Sequence, residues 1–251
     1  MISSTVFYWL LIGWFGLGAV VFILLFFVNA PYGRYFHKGL GPDMNNKLGW
    51  LVMESGASLL FAYIFFKNTP QGTVLWIFLL MWEVHYFHRA FLYPINLKGP
   101  SKRIPLLIVV SGLSFNLINA YLNGHYLFSL SGGYPNSWLL DARFIGGFLL
   151  FSTGFVINRQ SDMILGQLKH ASTGYVIPQG GLFYQVSCPN YLGEITIWIG
   201  WALATWSFPG LVFAFWTTAN LVPRARATHA WYRSHFPNYP EDRKALLPGI
   251  W

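Results

Sequence analysis

The chain has 251 residues, of which 55% are hydrophobic, 20% are aromatic and only 10% are charged. Soluble globular proteins contain about a quarter charged residues, so this composition excludes an ordinary soluble domain and predicts a membrane protein. The net charge of +8 occurs without a basic run that carries interleaved aromatic residues, so it does not indicate binding of nucleic acid. The single cysteine, Cys188, excludes an internal disulfide.

Seven apolar runs are long enough to cross a hydrocarbon core of roughly 30 Å, which takes about 20 helical residues. They cover residues 6–28, 48–66, 73–92, 104–122, 142–164, 191–207 and 209–222. We therefore predict an all-α, polytopic integral membrane protein with seven transmembrane helices. The break at residues 207–210 is short and the final run is short as well, so six spans remain an alternative.

The distribution of Lys and Arg predicts the orientation, because cytoplasmic loops carry the excess of basic residues. With the N-terminus outside, the outer loops contain only Lys67, whereas the inner loops and the C-terminal tail contain twelve basic residues. These are Arg34, Lys38, Lys47, Lys98, Lys102, Arg103, Lys169, Arg224, Arg226, Arg233, Arg243 and Lys244. We expect a cytoplasmic C-terminus in a multi-pass protein of either a bacterial inner membrane or the endoplasmic reticulum.

The domain organisation is predicted to be simple. The sequence has no internal repeat and no low-complexity linker, and no hydrophilic segment exceeds about 30 residues. The first span has no basic residue before it and no small-residue cleavage site after it, so we expect it to be retained. Residues 1–251 are therefore expected to form one membrane-embedded domain, with the polar segments 165–190 and 223–251 as cytoplasmic loop and tail.

The third span contains an unusual polar segment, WEVHYFHRAFLYP at residues 82–94. An ionisable side chain near the centre of a bilayer costs several kcal/mol unless it faces protein or water. On a helix, Glu83 and Tyr86 share one face, whereas His85, His88 and Arg89 share another, so we expect other helices to enclose this span. Both interhelical hydrogen bonding and a functional site remain open as explanations. Further polar residues in the spans are Glu54, Asn158, Asp162 and Glu194.

Three chemistries are conceivable for these residues. His85, His88 and Glu83 lack the further histidine boxes of membrane di-iron oxidases, so we expect no metal. Neither G-x-G-x-x-G after a strand nor G-x-x-x-x-G-K-[ST] occurs, and we interpret Gly146 and Gly147 as sites of close helix packing. A pocket between helices, basic toward the cytoplasm and apolar toward the lipid, would suit a phosphate-bearing cofactor and a lipid-like substrate.

The segment HYFHRAF at residues 85–91 resembles the HYFHRTF segment of the steroid 5-alpha-reductase family. Further similar segments follow the family's order: PYGRY at 31–35, W-x-x-x-E at 50–54, INRQSDMILGQLK at 157–169, YVIPQGGLFYQVSCPNYLGEITIWIGWALATWSFP at 175–209 and YPEDRKALLPGIW at 239–251. The resemblance covers nearly the whole chain. It implies a seven-helix reductase that transfers hydride from NADPH to the carbon-carbon double bond of a 3-oxo-4-ene steroid. Residues 6–122 would form the substrate side, and residues 142–251 would bind the cofactor.

The resemblance also implies roles for individual residues. Glu54 and Tyr86 would bind the ketone oxygen, where negative charge develops when hydride attacks the beta carbon of the enone. Glu54 would donate its hydrogen bond as a protonated acid. The implied cofactor-binding residues are Asn158, Asp162, Lys169, Asn190, Glu194, Arg224, His229 and Tyr232. A second, weaker set comprises Tyr32, Arg34, Trp50, Arg89 and Lys98.

Alternatives within and outside this family remain open. Enoyl-CoA and polyprenol reductases share the C-terminal motifs, so the physiological substrate is not determined. An isoprenylcysteine-type membrane methyltransferase, which would bind S-adenosylmethionine, is similar in its C-terminal pattern but has no use for Glu54 and Tyr86. A non-enzymatic sterol carrier is the third possibility. The expected partners are a steroid or other lipid-like enone and membrane lipids, without nucleic acid and without an obligate protein partner.

Overall fold

The computed structural model describes residues 3–28, 41–96, 103–171 and 174–251, without the side chains of residues 96 and 169–171. The elements in chain order are α1 Ser4–Leu24, β1 Asp43–Asn45, α2 Asn46–Asn68, α3 Thr73–Phe87, α4 Tyr93–Asn96, β2 Arg103–Pro105, α5 Leu106–His125, α6 Ala142–Ala171, α7 Pro189–Thr205 and α8 Phe208–His235. Two π-helical turns, His88–Leu92 and Tyr126–Leu130, follow α3 and α5 directly. The prediction of a mainly helical chain is confirmed.

Among the described residues, three helices are long and apolar enough to cross a membrane by length and composition. They are α1 with a mean hydropathy of 2.2, α2 with 1.5, and Leu106–Leu130 with 1.5. The other four predicted runs also coincide with helices, namely α3, α6, α7 and α8. The prediction of a membrane protein thus agrees with the structure at this level.

The chain divides into two compact units. Unit 1 comprises Met1–Leu11 and Pro31–Phe144, and unit 2 comprises Ile12–Ala30 and Ile145–Trp251. Unit 1 therefore contains α2, α3 and α5, whereas unit 2 contains α6, α7 and α8.

A short antiparallel ribbon determines where α2 and α5 begin in unit 1. Asp43 of β1 lies opposite Pro105 of β2, and the carboxylate of Asp43 forms an ion pair of 2.7 Å with Arg103. Asn45 then accepts a hydrogen bond of 2.9 Å from the backbone N–H of Lys47, which caps the first turn of α2. Both helices start directly after their strands, so the ribbon links the starting points of α2 and α5.

Helix α3 packs along α2 in the opposite direction. The rings of Phe65 and Trp76 lie 4.5 Å apart near one end of the pair, and those of Phe61 and Trp82 stack at 4.3 Å further along. The expectation that other helices enclose this span holds for its buried polar residues His85, Tyr86 and His88 but not for one apolar stripe. Its side chains Trp76, Leu80, Val84 and Phe87 are about half exposed and form one stripe, as expected for a surface that faces lipid.

In unit 2, helices α6 and α7 cross at glycines. A Cβ added at Gly154 would lie 2.6 Å from the carbonyl oxygen of Gly193, and one added at Gly147 would lie 2.6 Å from that of Gly200. Such close contacts allow the two backbones to touch, as in small-residue packing of membrane helices. The interpretation of Gly147 as a site of close packing is confirmed, whereas a Cβ added at Gly146 would make only an ordinary contact of 3.6 Å with Leu203.

Two helices in unit 2 extend beyond the predicted spans. α6 continues past residue 164 to Ala171, and α8 continues past residue 222 to His235. The segments 165–171 and 223–235, which were expected to belong to a polar loop and tail, are thus helical. Hydropathy marks the part of a helix that suits lipid, whereas helical hydrogen bonds continue into polar sequence until a residue such as Pro237 ends them.

Candidate functional site

Three helices of unit 1 bring an acid, a phenol and an amide together. The side-chain nitrogen Nδ2 of Asn116 on α5 donates to Oε2 of Glu54 on α2 over 3.2 Å. The Oδ1 atom of the same amide accepts from the hydroxyl of Tyr86 on α3 over 3.4 Å. Tyr86 and Asn116 are buried, and Glu54 is partly buried. The structure thus places both residues expected to bind a ketone next to one shared partner, which the sequence did not indicate.

Small residues explain why α2 and α5 come this close. A Cβ at Gly112 of α5 would lie 2.7 Å from the sulfur of Met53, and one at Gly56 of α2 would lie 2.5 Å from Leu113. Because large side chains of each helix pack onto glycines of the other, the short side chain of Asn116 reaches the backbone of α2. Its Nδ2 also donates to the carbonyl oxygen of Met53 over 2.8 Å.

A second polar pair lies one helical turn away from the first. The hydroxyl of Ser58 on α2 donates to Oε2 of Glu83 on α3. Ser58 follows Glu54 by four residues, and Glu83 precedes Tyr86 by three, so each lies one turn along its helix. Next to this pair, the indole N–H of Trp82 donates to the carbonyl oxygen of Ala57 over 3.3 Å. Polar contacts thus join α2 directly to α3 at this point, which favours the interhelical explanation for Glu83 itself.

Arg89 lies in the π-helical turn after α3, against two aromatic rings that contact each other. Its guanidinium is 5.0 Å from the ring centroid of Trp50 and 5.1 Å from that of Tyr93. These distances are within the range of cation–π contacts. Trp50 and Arg89, two members of the weaker cofactor set, are thus neighbours, whereas Tyr32, Arg34 and Lys98 lie outside the described residues.

In unit 2, α6 and α7 bring three of the expected cofactor-binding residues together. Asn158 is buried, and its Nδ2 donates to the backbone oxygen of Asn190 and to Oε2 of Glu194, each over 3.0 Å. The other carboxylate oxygen of Glu194 accepts from the indole N–H of Trp198 over 3.0 Å. Asp162 lies one turn after Asn158 on α6. This cluster combines hydrogen-bond donors and acceptors in one place.

Helix α8 contributes the basic side chains near the same end of α7. The Nε of Arg224 donates to the hydroxyl of Tyr191 over 2.9 Å, and Tyr191 directly follows Asn190 in α7. Arg224 is partly buried, and its contact with Tyr191 connects it to the residue that follows Asn190. The side chain of Lys169 lies outside the described part of the structure.

A further network connects α8 with the C-terminal segment. The hydroxyl of Ser187 lies 2.6 Å from Nδ1 of His229, 2.6 Å from the hydroxyl of Tyr239, and 3.1 Å from the backbone oxygen of Lys244. The rings of Tyr232 and Tyr239 stack at 5.4 Å. Backbone pairing between Val186 and Lys244 adds to the attachment of this segment. His229 and Tyr232 of the predicted set are therefore neighbours through Tyr239.

The charges around His229 act on its protonation. His229 lies beyond the predicted span 209–222, and partial burial lowers its pKa from the ordinary 6.5. The positive charges of Arg233, Lys244 and Arg243 lower the pKa further. A neutral imidazole is the form that this network favours.

Arg243 is a buried basic residue that the sequence had not singled out as a site residue. It is 3% exposed, its Nη1 donates to the backbone oxygen of Pro178 over 3.1 Å, and its guanidinium lies 5.0 Å from the ring of Tyr239. Its Nε is buried and has no hydrogen-bond partner among the described residues. A guanidinium with unused donor capacity fits an anion such as a phosphate. Within the described part of the chain, no group of three His, Cys, Asp or Glu side chains could hold a metal ion.

Comparison with known proteins identifies the family. Residues 102–251 match the family model described as 3-oxo-5-alpha-steroid 4-dehydrogenase. The chain is 39% identical over 259 residues to steroid 5-alpha-reductase DET2 of Gossypium hirsutum, with 99% of each chain covered. It is also 39% identical over 235 residues to 3-oxo-5-alpha-steroid 4-dehydrogenase 1 of Homo sapiens, which covers 92% of this chain and 90% of the human protein. The chain therefore belongs to the steroid 5-alpha-reductase family and is an oxidoreductase that acts on CH–CH groups.

Proposed function

We propose that the protein reduces the 4,5 double bond of a 3-oxo-4-ene steroid to the 5-alpha-3-oxosteroid, with NADPH as cofactor and with Glu54 and Tyr86 as the residues that polarise the ketone. The observation that carries this proposal is the convergence of Glu54 and Tyr86 on the amide of Asn116 in a member of this family. An acid and a phenol at one place are two hydrogen-bond donors for one oxygen.

The reaction adds two hydrogens, a hydride at the beta carbon and a proton at the alpha carbon. NADPH supplies the hydride when it is bound. As the beta carbon gains the hydride, the electron pair of the double bond moves toward the ketone oxygen. The hydroxyl of Tyr86 and the protonated carboxyl of Glu54 donate to that oxygen and stabilise its developing charge. Solvent supplies the proton that completes the product.

The residues of unit 2 suit a dinucleotide that carries phosphates. Arg224 and Arg243 offer guanidinium groups for phosphate oxygens, and Asn158 and Glu194 offer donors and acceptors for amide and hydroxyl groups. The buried Nε of Arg243 supports this fit, since no described residue accepts from it. Asp162, Lys169, Asn190, His229 and Tyr232 complete the proposed set, with Tyr32, Arg34, Trp50, Arg89 and Lys98 as second candidates.

The proposed arrangement in the membrane has seven spans, with the N-terminus outside and the C-terminus in the cytoplasm. The excess of basic residues in the predicted inner segments supports this orientation. NADPH would then bind from the cytoplasm, and the apolar steroid would enter from the lipid. The same arrangement suits a bacterial inner membrane and the endoplasmic reticulum.

A panel of substrates tests the reaction. Protein purified in detergent is incubated with NADPH and one of three substrates: a 3-oxo-4-ene steroid, an enoyl-CoA or a polyprenol. A separate incubation contains S-adenosylmethionine and an isoprenylcysteine. We expect the steroid product to be heavier by two hydrogens in mass spectrometry. Reduction of the enoyl-CoA or polyprenol alone would move the substrate to another branch of the family, and methyl transfer would overturn the proposal.

A further inference from the structure

We propose that Asn116 is a positioning residue that orients both ketone-binding groups and determines which oxygen of Glu54 carries the proton. This inference rests on the proposed function, because it concerns the same ketone site. It assigns to α5 a role in the reaction that neither Glu54 on α2 nor Tyr86 on α3 can fulfil for itself.

The orientation of the Asn116 amide follows from its partners. One atom of the amide lies 2.8 Å from the backbone oxygen of Met53, which can only accept a hydrogen bond. That atom must therefore be Nδ2, and the reversed amide would bring two acceptors together. With Nδ2 fixed by the backbone of α2, its second N–H points to Oε2 of Glu54, and Oδ1 faces Tyr86.

This orientation has a consequence for Glu54. A protonated carboxyl has one oxygen that accepts and one that carries the proton. Because Nδ2 of Asn116 donates to Oε2, that oxygen serves as the acceptor, and the proton is directed to Oε1. A correctly placed proton is what a neutral acid needs in order to donate to a ketone.

The contact with Tyr86 acts on the second donor. The hydroxyl of Tyr86 has a single proton, which it donates to Oδ1 of Asn116 over a long distance of 3.4 Å. A weak bond of this kind orients the phenol before the substrate binds and is easily exchanged for the ketone oxygen. Asn116 therefore keeps both donors at one place without competing strongly for either proton.

The position of Asn116 is itself rigid. It is 6% exposed, and Gly112 one turn earlier on α5 packs against the side chain of Met53. A partner that is anchored to a backbone oxygen holds the groups it contacts more precisely than a mobile side chain would.

The test compares Asn116→Leu and Asn116→Asp with Asn68→Leu as a matched control. Asn68 lies near the far end of α2, and its amide likewise donates to a backbone oxygen, that of Ile64, and accepts from a hydroxyl, that of Ser129. We expect Asn116→Leu to lower kcat by about 100-fold with a nearly unchanged KM, as for a misplaced catalytic group. Asn116→Asp has the same shape but no donor for Glu54, so we expect a similar loss, whereas Asn68→Leu keeps the kcat of the wild type.

A double-mutant cycle separates positioning from a structural role. If Asn116 acts through the acid of Glu54, Asn116→Leu should cost much less in a Glu54→Gln background than in the wild type. An equal loss in both backgrounds would show that Asn116 does not act through the acid of Glu54, and the same loss in Asn68→Leu would show that the effect is not specific to the ketone site; either result would overturn the inference.

An infrared measurement tests the contact without turnover. The C=O stretch of protonated Glu54 is assigned by its absence in Glu54→Gln, and it should move to higher frequency in Asn116→Leu, because Oε2 loses its donor. An unchanged band would overturn the inference. If the wild type reduced no enone, the proposed function would fail, while the band would still report whether Asn116 orients Glu54.

Discussion

At the scale of single residues, the proposed ketone site depends on two donors that belong to different helices. Glu54 and Tyr86 are separated by 32 positions in the sequence, yet both contact the amide of Asn116. Neither residue is unusual by itself, since tyrosines are common in membrane proteins and a carboxyl in a span often serves helix association. Their common partner is what distinguishes them.

Substitution of Glu54 tests the proposed neutral donor. We expect Glu54→Gln to retain more activity than Glu54→Ala, because an amide can partly replace the hydrogen bond of a protonated carboxyl. Loss of the donor in Glu54→Ala should lower kcat by about 100-fold or more, as for one donor of an oxyanion hole. Steady-state kinetics with the exposed Glu241→Ala as control measures this. Rates like those of the wild type in both Glu54 variants would contradict the role.

The sequence led to Glu54 and Tyr86 but not to Asn116 or Arg243. Asn116 is one of three asparagines on α5, with Asn119 and Asn123, and nothing in the sequence tells which of them faces α2. That choice depends on the contact of Met53 with Gly112, which is a property of the packed pair of helices. Arg243 follows the last helix in a segment without regular structure, so no periodicity indicates that it is buried.

At the scale of elements, the crossing of α6 and α7 depends on individual glycines. Gly147→Ala would place a methyl group 2.6 Å from the backbone oxygen of Gly200, so the helices must separate. We expect a loss of about 1–3 kcal/mol, as for other overpacked sites, and a lower Tm in detergent.

The neighbouring glycine provides the control for this prediction. A methyl group at Gly146 meets only the side chain of Leu203 at 3.6 Å, so Gly146→Ala should keep or slightly raise the Tm. Equal Tm values for the variants at 146 and 147 would show that the close crossing is not needed for stability.

The network of Ser187, His229 and Tyr239 predicts a pH dependence of unit 2. Burial and nearby positive charges lower the pKa of His229, so the folded protein binds this proton less readily than the unfolded chain. Stability from this residue is therefore present above the ordinary pKa of 6.5 and is lost as the pH falls through the folded value. We expect the Tm of the wild type to fall between pH 7 and pH 5 more than that of His229→Gln.

A histidine on the same helix serves as the control for the pH experiment. His235 is exposed, and His235→Gln should leave the pH dependence of the Tm as in the wild type. If His229→Gln showed the full dependence, another group would be responsible.

Each of the seven apolar runs predicted from the sequence coincides with a helix in the described part of the chain, but the ends of these helices and their irregular turns were not predicted. The π-helical turns at His88–Leu92 and Tyr126–Leu130 add one residue to a helical turn, and this leaves no recognisable pattern in a uniformly apolar segment. The first of them contains Arg89 and so affects how its guanidinium meets the rings of Trp50 and Tyr93.

At the scale of the whole molecule, the asymmetry of basic residues predicts the side from which the cofactor binds. In sealed vesicles of known orientation, we expect turnover when NADPH is added on the side of the C-terminal tail and none when it is confined to the other side. A cofactor with several negative charges favours the basic side and does not cross the bilayer, whereas the steroid does. Turnover with NADPH on the N-terminal side alone would contradict the proposed orientation.

The origin of the two added hydrogens tests the central claim most directly. The protein is incubated with a 3-oxo-4-ene steroid and NADPH that carries deuterium at the transferable position of the nicotinamide, in ordinary water. We predict a product with one deuterium at its beta carbon. In the reciprocal experiment, with unlabelled NADPH in heavy water, we predict one deuterium at the alpha carbon. The nicotinamide can be labelled on either of its two faces, and a product without deuterium from both labelled forms of NADPH would contradict the account. The absence of a product from any such steroid would contradict it as well.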